Sequence, residues 1–158
     1  VVESLGGQVA VASEEDRYTR VSISVPVTLT LQRVLVLRIE DLFYGLPLAS
    51  IAFTKEVNGS LEMVEGRHVL PLGSGEVIPV VSLKEIFFNK RQDEPKGVLV
   101  VVRTKTSERA LLVDDVVGTE RVLIRPFRGY LRDLRTFTGV FETKGRLCLL
   151  IETEVVAF

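Results

Sequence analysis

Two short apolar runs, V-L-V-L at residues 34–37 and V-L-V-V-V at residues 98–102, occupy corresponding places in two similar segments of the chain. Each run is followed by a polar turn and then a second apolar stretch, which ends near Leu48 in the first segment and spans Ala110–Val113 in the second. Short runs of bulky and β-branched residues, bounded by turn residues, are typical of β-strands. The two runs therefore predict a β-hairpin at the start of each segment.

A second pair of stretches repeats further along the chain. Residues 69–81, V-L-P-L-G-S-G-E-V-I-P-V-V, match residues 139–151, G-V-F-E-T-K-G-R-L-C-L-L-I, in pattern. Both stretches predict a hairpin with a glycine-containing turn and an apolar second strand. The two pairs of stretches indicate an internal duplication, which predicts two small β-barrels. The charged stretch at 89–97, N-K-R-Q-D-E-P-K-G, is interpreted as the linker between them.

The composition favours the same fold class. Of the 158 residues, 46% are apolar, and 26 Val, 7 Ile and 11 Thr contrast with only 6 Ala. β-Branched side chains are stiff at χ1 and pack well on a pleated surface, so a mostly helical bundle is disfavoured. Helices are predicted only at Ser82–Phe88 and near Tyr130–Phe137.

The first 26 residues have a pattern of their own. Val1–Gly7 is typical of a helix end closed by glycine, and alternation then predicts strands at Gln8–Ser13 and Thr19–Val25, the second of them half-buried. Pro26 ends the second strand because proline has no N–H to donate to a ladder. Because the chain opens on Val1 in the middle of a pattern, we expect it to be part of a longer protein.

Charge and residue content argue against several function classes. The net charge of -1 argues against a chain built mainly to bind nucleic acid or an acidic membrane. No apolar run reaches the roughly 18–20 residues of a membrane span, and no signal peptide is visible, so we expect a soluble, cytoplasmic protein with no membrane insertion. A single cysteine and a single histidine exclude an intramolecular disulfide, a thiolate zinc site and a histidine-rich metal site.

Few side chains suggest chemistry. His68 has no nucleophile or orienting acid near it in sequence, so we interpret it as an ordinary surface or loop histidine. Asp114 and Asp115 could bind Mg²⁺, but the pair follows a strand, where aspartate commonly forms a turn, and we favour the turn. Cys148 lies in an apolar run and is expected to pack as a small hydrophobe. We predict no catalytic residue and no metal ligand.

Five arginines recur at spacings of 4, 3, 4 and 3 residues. On a helix this spacing would place all five on one face, which could bind phosphates. Because Pro126 and Gly129 interrupt a continuous helix, a solvated or interface face is favoured. The alternative is a small SH3- or OB-like barrel that binds nucleic acid or another anionic partner through this face. The five residues are Arg121, Arg125, Arg128, Arg132 and Arg135.

Several stretches resemble parts of one protein family. V-V-E-S-L-G-G-Q-V-A-V-A-S-E-E-D-R-Y-T-R-V-S-I-S-V-P at 1–26 resembles the end of the ATP-binding domain of histidine kinases. V-P-V-T-L-T-L, followed by F-Y-G-L-P-L-A-S-I, resembles the junction to the regulatory domain of CheA-type chemotaxis kinases. G-E-V-I-P-V-V-S-L, A-L-L-V-D-D-V-V-G and F-T-G-V-F-E-T-K-G-R-L-C-L-L-I-E resemble the CheW-like fold. Together these stretches cover essentially the whole chain.

The resemblance implies a mainly β fold of two intertwined, five-stranded, SH3-like barrels behind a short α+β remnant of the ATPase domain. The implied boundaries are 1–26 for the remnant and 27–158 for the CheW-like regulatory domain. Within that domain, barrel one covers about 31–88 and barrel two about 97–152, and 153–158 forms a C-terminal strand.

The resemblance also implies a function. The domain would dock a CheW-type coupling protein and the cytoplasmic tip of chemoreceptors, and through the kinase domain of the same chain it would control autophosphorylation. The parent protein would be an ATP-dependent protein-histidine kinase that uses ATP and Mg and forms a homodimer. This piece alone would be a monomer without a cofactor, would not bind nucleic acid, and would catalyse nothing.

Three groups of residues receive roles from the resemblance. Thr19 corresponds to a threonine that helps to bind the nucleotide phosphate. The interdomain hinge corresponds to Val25, Pro26, Val27 and Thr28. Partner contacts correspond to the two glycine-turn hairpins and would be made by Leu70, Ile78 and Val80 in the first and by Phe141 and Leu149 in the second.

Overall fold

The computed structural model describes residues 1–2, 7–24 and 29–157 and is mainly β, as predicted. The described chain forms short strands separated by tight turns, with two short α-helices and two 3₁₀ turns. The elements are β1 (Gln8–Glu14), β2 (Tyr18–Ser24), β3 (Thr30–Ile39), β4 (Leu42–Pro47), a 3₁₀ turn (Leu48–Ser50), β5 (Ile51–Asn58), β6 (Glu62–Val64), β7 (Arg67–Pro71), β8 (Val77–Ser82), α1 (Leu83–Phe88), β9 (Lys96–Arg103), β10 (Glu108–Val113), β11 (Asp115–Pro126), a 3₁₀ turn (Gly129–Asp133), β12 (Phe137–Thr143), β13 (Arg146–Ile151) and α2 (Thr153–Val156).

Strands β3 to β13 form two sheets, and each sheet takes strands from both halves of the chain. One sheet has the order β11-β12-β13-β4-β3 and closes on itself; we call it the closed barrel. The other has the order β5-β9-β10-β8-β7-β6, and we call it the six-stranded sheet. The predicted division into barrels at 31–88 and 97–152 is therefore wrong. One of the two sheets is a closed five-stranded barrel, whereas the other is a six-stranded sheet with β5 and β6 as its end strands.

The two sheets repeat one pairing scheme. In the closed barrel, β3 pairs antiparallel with β4 and β11, and β4 pairs in parallel with β13. In the six-stranded sheet, β9 pairs antiparallel with β10 and β5, and β10 pairs in parallel with β8. This repetition agrees with the predicted duplication. The β3–β4 hairpin of the first segment joins β11, β12 and β13 of the second segment. The β9–β10 hairpin of the second segment joins β5, β6, β7 and β8 of the first. The two sheets are therefore intertwined.

The two apolar runs that begin these hairpins are buried on both faces. Val34 and Val36 face the interior of the closed barrel, whereas Leu35 and Leu37 pack in the layer between the two sheets. The second run alternates in the same way between the interior of the six-stranded sheet and the layer between the sheets. Because successive side chains of a strand point to opposite faces, both runs have to be apolar at every position.

Aromatic side chains join the two sheets within the shared layer. The ring of Tyr44 in β4 lies 5.1 Å from that of Phe87 in α1 and 6.0 Å from that of Phe137 in β12, measured between centroids. Rings at these separations attract one another beyond the area that they bury. Burial in this layer raises the pKa of the Tyr44 hydroxyl.

The predicted helix at Ser82–Phe88 is confirmed, with Ser82 as its N-cap. The Ser82 hydroxyl accepts a hydrogen bond from the Glu85 N–H at 3.3 Å, and Asn89 ends the helix at φ 53°. The second predicted helix, near Tyr130–Phe137, is only the 3₁₀ turn Gly129–Asp133.

The C-terminal segment corrects another prediction, because 153–158 was expected to form a strand and Thr153–Val156 is helical. The Glu152 carboxylate caps the helix by accepting the Glu154 N–H at 3.3 Å. Val156 and Ala157 pack into the layer between the sheets. The β-propensity of this short segment is overridden by the burial of its apolar face.

The N-terminal hairpin has the predicted strands but not the predicted burial. β1 and β2 pair antiparallel, and Val9 and Val11 lie opposite Ile23 and Val21 on one face. All residues of both strands are exposed, although we expected the second strand to be half-buried. The predicted helix end at Val1–Gly7 falls largely outside the described residues, as does the whole predicted hinge at 25–28.

A cluster of charged side chains ties the two sheets together at one edge. The Lys84 ammonium in α1 lies 3.2 Å from a carboxylate oxygen of Glu40, in the β3–β4 turn, and 3.1 Å from one of Asp114. Lys90 lies 3.3 Å from Glu40, and the Glu40 N–H donates to the Asp114 carboxylate at 2.6 Å. Burial opposes the charge of Lys84, but hydrogen bonds with Asp114 and Glu40 outweigh it and raise the pKa of the ammonium.

This cluster predicts a pH-dependent contribution to stability. Hydrogen bonds from Lys84 and Lys90 hold the pKa of Glu40 below its ordinary value of 4.5. A lowered carboxyl pKa stabilises the fold above the unfolded-state pKa, and this stabilisation is lost as the pH falls through the folded-state pKa. Glu40→Gln should therefore be less stable than the wild type at pH 7, and the difference should shrink below pH 4.5.

Urea denaturation at several pH values measures this difference. Glu62→Gln, on the exposed strand β6, is the matched control, because no ion pair involves Glu62 among the described residues. A gap between Glu40→Gln and the wild type that is the same at pH 7 and pH 3 would contradict the prediction.

Candidate functional site

The residues predicted to contact partners lie in or against the core. Leu70 and Ile78 are 2% and 3% exposed and face each other inside the six-stranded sheet. Phe141 is 2% exposed and lies inside the closed barrel. Val80 and Leu149 are half-buried against the core clusters. The predicted contact role is therefore wrong for the three buried residues, because the strand faces that they occupy point inward.

The structure instead presents an apolar groove on the closed barrel. The ladder between β11 and β12 consists of Arg125–Val140 and Pro126–Gly139, at the end of β11 and in the middle of β12. Beyond these pairs a groove of about 720 Å³ lies between the two strands. We call it the leucine groove, because its exposed apolar side chains are Leu29, Leu31, Leu123 and Leu147.

These four leucines form one exposed apolar patch. Leu29, Leu31 and Leu123 are 49%, 53% and 53% exposed, and Leu147 in the β12–β13 hairpin is 75% exposed. Leu31 lies directly opposite Leu123 in the β3–β11 ladder, so the two form one cross-strand apolar pair. A cluster of exposed apolar side chains at one site is a feature of surfaces that bind a partner.

The groove was not predicted from the sequence, although the sequence contains signals for it. Residues 28–31, T-L-T-L, alternate polar and apolar residues, which predicts that one face of the strand is apolar. The pattern does not show whether that face points to the core or to solvent. Two residues of the predicted Phe141–Leu149 hairpin, Phe141 and Leu147, line the groove.

Charged side chains surround the leucines. Arg121, Arg125, Lys144, Glu120 and Glu142 also line the groove. Glu120 accepts a hydrogen bond from the Thr143 hydroxyl and lies 3.8 Å from the Lys144 ammonium. Glu120 and Lys144 therefore compensate each other's charge.

The arginine run does not form a single face. Arg121 and Arg125 lie on strand β11, whereas Arg128 and Arg135 lie outside the strands on either side of the 3₁₀ turn. The helical arrangement that would align all five is therefore absent.

The remaining residues singled out from the sequence have structural settings. Thr19 is exposed on β2, opposite Ser13. Asp114 belongs to the Lys84 cluster, and the Asp115 carboxylate, at the beginning of β11, accepts the Val116 N–H at 2.8 Å. Cys148 is buried, and burial raises the pKa of its thiol.

His68 differs from the surface histidine that we expected. It is half-buried in β7, and its Nδ1 is buried without a hydrogen-bond partner in the described structure. Among the described residues, no group of histidine, cysteine and acidic side chains could hold a metal ion. No helix in the described part of the chain is long and apolar enough to cross a membrane.

Comparison with known proteins places this fold in a family. A family model described as the CheW-like domain matches residues 33–157, which cover both sheets. The chain belongs to the CheW-like domain family. This CheW-like domain is 30% identical over 155 residues to the chemotaxis protein CheA of Bacillus subtilis, which covers 96% of the chain and 23% of that protein.

Other relatives of this CheW-like domain come from other organisms. It is 26% identical over 155 residues to the sensor histidine kinase CheAY of Helicobacter pylori, covering 96% of the chain and 19% of that protein. It is 30% identical over 156 residues to the gliding motility regulatory protein of Myxococcus xanthus, covering 95% of the chain and 20% of that protein. The chain thus spans about a fifth of the length of the curated relatives that it matches.

A solved structure supports the fold. The crystal structure of the scaffolding protein TtCheW from Thermoanaerobacter tengcongensis matches with a TM-score of 0.63 at 21% identity. The match covers 78% of this chain and 90% of that one. The CheW-like architecture of two intertwined sheets is therefore confirmed.

Proposed function

We propose that this CheW-like domain is the regulatory and scaffolding domain of a CheA-type histidine kinase. It docks a CheW-type coupling protein and the cytoplasmic tips of chemoreceptors, and in this way controls ATP-dependent autophosphorylation by the kinase domain of the same chain. The observation that carries the proposal is the leucine groove, an exposed apolar site on a domain whose relatives include CheA proteins.

The position of the groove suggests how docking acts on the kinase. Leu29 directly precedes β3 and Leu31 is the second residue of that strand, so both lie immediately after the proposed hinge at 25–28. A partner that binds these leucines holds the first residues of the domain and so restricts how the preceding domain is oriented. Binding that favours one orientation shifts the population between active and inactive arrangements of the kinase.

The N-terminal hairpin belongs to the same proposal. We assign residues 1–26 to the end of an ATP-binding domain, with Thr19 near the nucleotide phosphate. The B. subtilis CheA alignment covers 155 residues and so extends beyond the 33–157 match of the family model, which supports this assignment. The exposed apolar face of β1 and β2 would be covered by the rest of that domain. The parent kinase would use ATP and Mg and would be a homodimer, whereas this piece alone would be a monomer.

Substitution of the cross-strand pair tests the docking site. Leu31→Ala/Leu123→Ala should weaken binding of the CheW-type protein from the same organism by at least about tenfold, because buried apolar anchors dominate interface energies. Isothermal titration at two salt concentrations measures the affinity. The stability of the variant should stay near that of the wild type, since both side chains are more than half exposed.

Met63→Ala/Val64→Ala, on the six-stranded sheet, is the matched control, because these side chains are 56% and 46% exposed. The control should retain the wild-type affinity. Absence of wild-type binding at high concentration would overturn the docking function. Binding to a DNA duplex that falls steeply with salt would favour the nucleic-acid alternative instead.

A further inference from the structure

Two arginines lie directly opposite each other beside the leucine groove. The β3–β11 ladder pairs Arg33 with Arg121, two residues along from the Leu31–Leu123 pair. Both arginines are exposed, and neither forms an ion pair with any described residue. Like charges placed directly opposite on neighbouring strands destabilise a sheet. The arrangement therefore costs stability in the free domain.

Nearby acidic side chains neutralise little of the positive charge of Arg33 and Arg121. A cleft of about 440 Å³ is lined by Arg33, Thr119, Glu120 and Arg121 and shares the last two with the leucine groove. Glu120 is the acidic residue of this cleft, and its carboxylate is held by Thr143 and Lys144. The cleft and the groove together carry four cationic and two acidic side chains.

We propose that Arg33 and Arg121 form a clamp for a carboxylate of the CheW-type coupling protein, while an apolar side chain of that protein binds in the leucine groove. This inference rests on the proposed docking function and names the chemistry that the partner presents. Two guanidinium groups offer planar sets of donors that match a carboxylate, and such charge-assisted hydrogen bonds are among the stronger ones in proteins.

The spacing of the site limits which partner segment fits. Residues two apart on a strand point to the same face and lie roughly 7 Å apart. Arg33 lies two residues from Leu31 on β3, and Arg121 lies two residues from Leu123 on β11. A partner therefore matches the site with an acidic and an apolar residue at i and i+2 of an extended segment, or at i and i+3 or i+4 of a helix.

The same surface favours protein over nucleic acid as the occupant. Leucines occupy the face next to the arginines, and among the described residues that line the groove the one aromatic ring, Phe141, is buried and unable to stack on a base. The chain as a whole carries a net charge of -1, which does not attract a polyanion.

Charge removal in the full chain tests the clamp. Arg33→Gln/Arg121→Gln should weaken binding of the CheW-type protein roughly tenfold, because each arginine loses a charged hydrogen bond. The salt dependence of binding should also become smaller. Arg67→Gln, at an exposed arginine of β7 without an ion pair among the described residues, is the matched control and should bind like the wild type.

Two further readouts separate the clamp from a structural role. The double variant should unfold at the same urea concentration as the wild type or a slightly higher one, because a repulsion has been removed. Arg33→Glu/Arg121→Glu should bind more weakly still, and a Lys substitution at one partner carboxylate should restore its binding. Loss of stability in the double variant, or no such rescue at any partner carboxylate, would overturn the clamp.

The outcomes also distinguish the clamp from the docking function. If the double variant binds normally while Leu31→Ala/Leu123→Ala does not, the clamp is overturned and the docking function remains. If the wild type fails to bind the CheW-type protein, both are overturned. If the double variant instead loses steeply salt-dependent binding to a DNA duplex, the arginines bind phosphate and the carboxylate clamp is overturned.

Discussion

Phe141→Ala should lower the free energy of unfolding by about 3–5 kcal/mol, because it removes the largest fully buried side chain of the closed barrel. The ring packs against the backbone of Gly45 so closely that a Cβ at position 45 would lie 2.6 Å from it. Val34, Val36 and Val122 belong to the same core cluster. A closed barrel cannot collapse around the cavity as readily as an open sheet, so we expect the cost to be at the upper end of this range.

Urea denaturation of Phe141→Ala and Leu147→Ala measures the difference between core and surface on one hairpin. Leu147 is 75% exposed, so its substitution should change stability by no more than about 0.5 kcal/mol. Its effect should instead be on the affinity for the docking protein. If Phe141→Ala kept the wild-type stability and lost only binding, the sequence-based contact role of Phe141 would be correct after all.

The strands and the duplication could be predicted from the sequence because both are local patterns. The runs at 34–37 and 98–102 are apolar at every position, and the hairpins at 69–81 and 139–151 carry glycine turns. The assignment of strands to sheets could not be predicted in this way. A run that is apolar at every position indicates a strand with a neighbouring layer on each face, but it does not indicate which strands pair within a sheet. The pairing of β4 with β13, for example, joins residues about a hundred positions apart in the chain.

The candidate site was predicted only in part, for a related reason. Alternation shows that a strand has two different faces, but in the Leu70–Val80 hairpin both faces carry apolar residues. The sequence alone does not say which face is inside, and the inward face was chosen as the contact surface. The leucine groove depends on the separation of β11 from β12, which is a property of tertiary structure. The Arg33–Arg121 pair depends on the register of β3 against β11, again set by long-range pairing.

Gly97→Ala is the second substitution for which we expect a large effect. Gly97 begins the part of β9 that passes between β5 and β10, and its φ of +137° is one that L side chains rarely adopt. An added Cβ would lie 2.1 Å from the carbonyl oxygen of Val113, which is backbone and cannot rotate away. The dihedral strain and the steric clash should together lower the free energy of unfolding by about 4 kcal/mol or more.

Two other glycines separate the two causes. Gly118 has a similar φ of +147° with nothing within 4 Å of an added Cβ, so Gly118→Ala should cost only the dihedral strain, roughly 1–3 kcal/mol. Gly73 has open space and no such φ, so Gly73→Ala should leave stability nearly unchanged. Urea denaturation should therefore rank the losses as Gly97→Ala, then Gly118→Ala, then Gly73→Ala. Equal losses at the first two positions would show that the backbone moves away from the new methyl group at little cost. The larger loss at Gly97 would show that β9 is held rigidly between its two neighbours, as expected of a strand that has both faces buried.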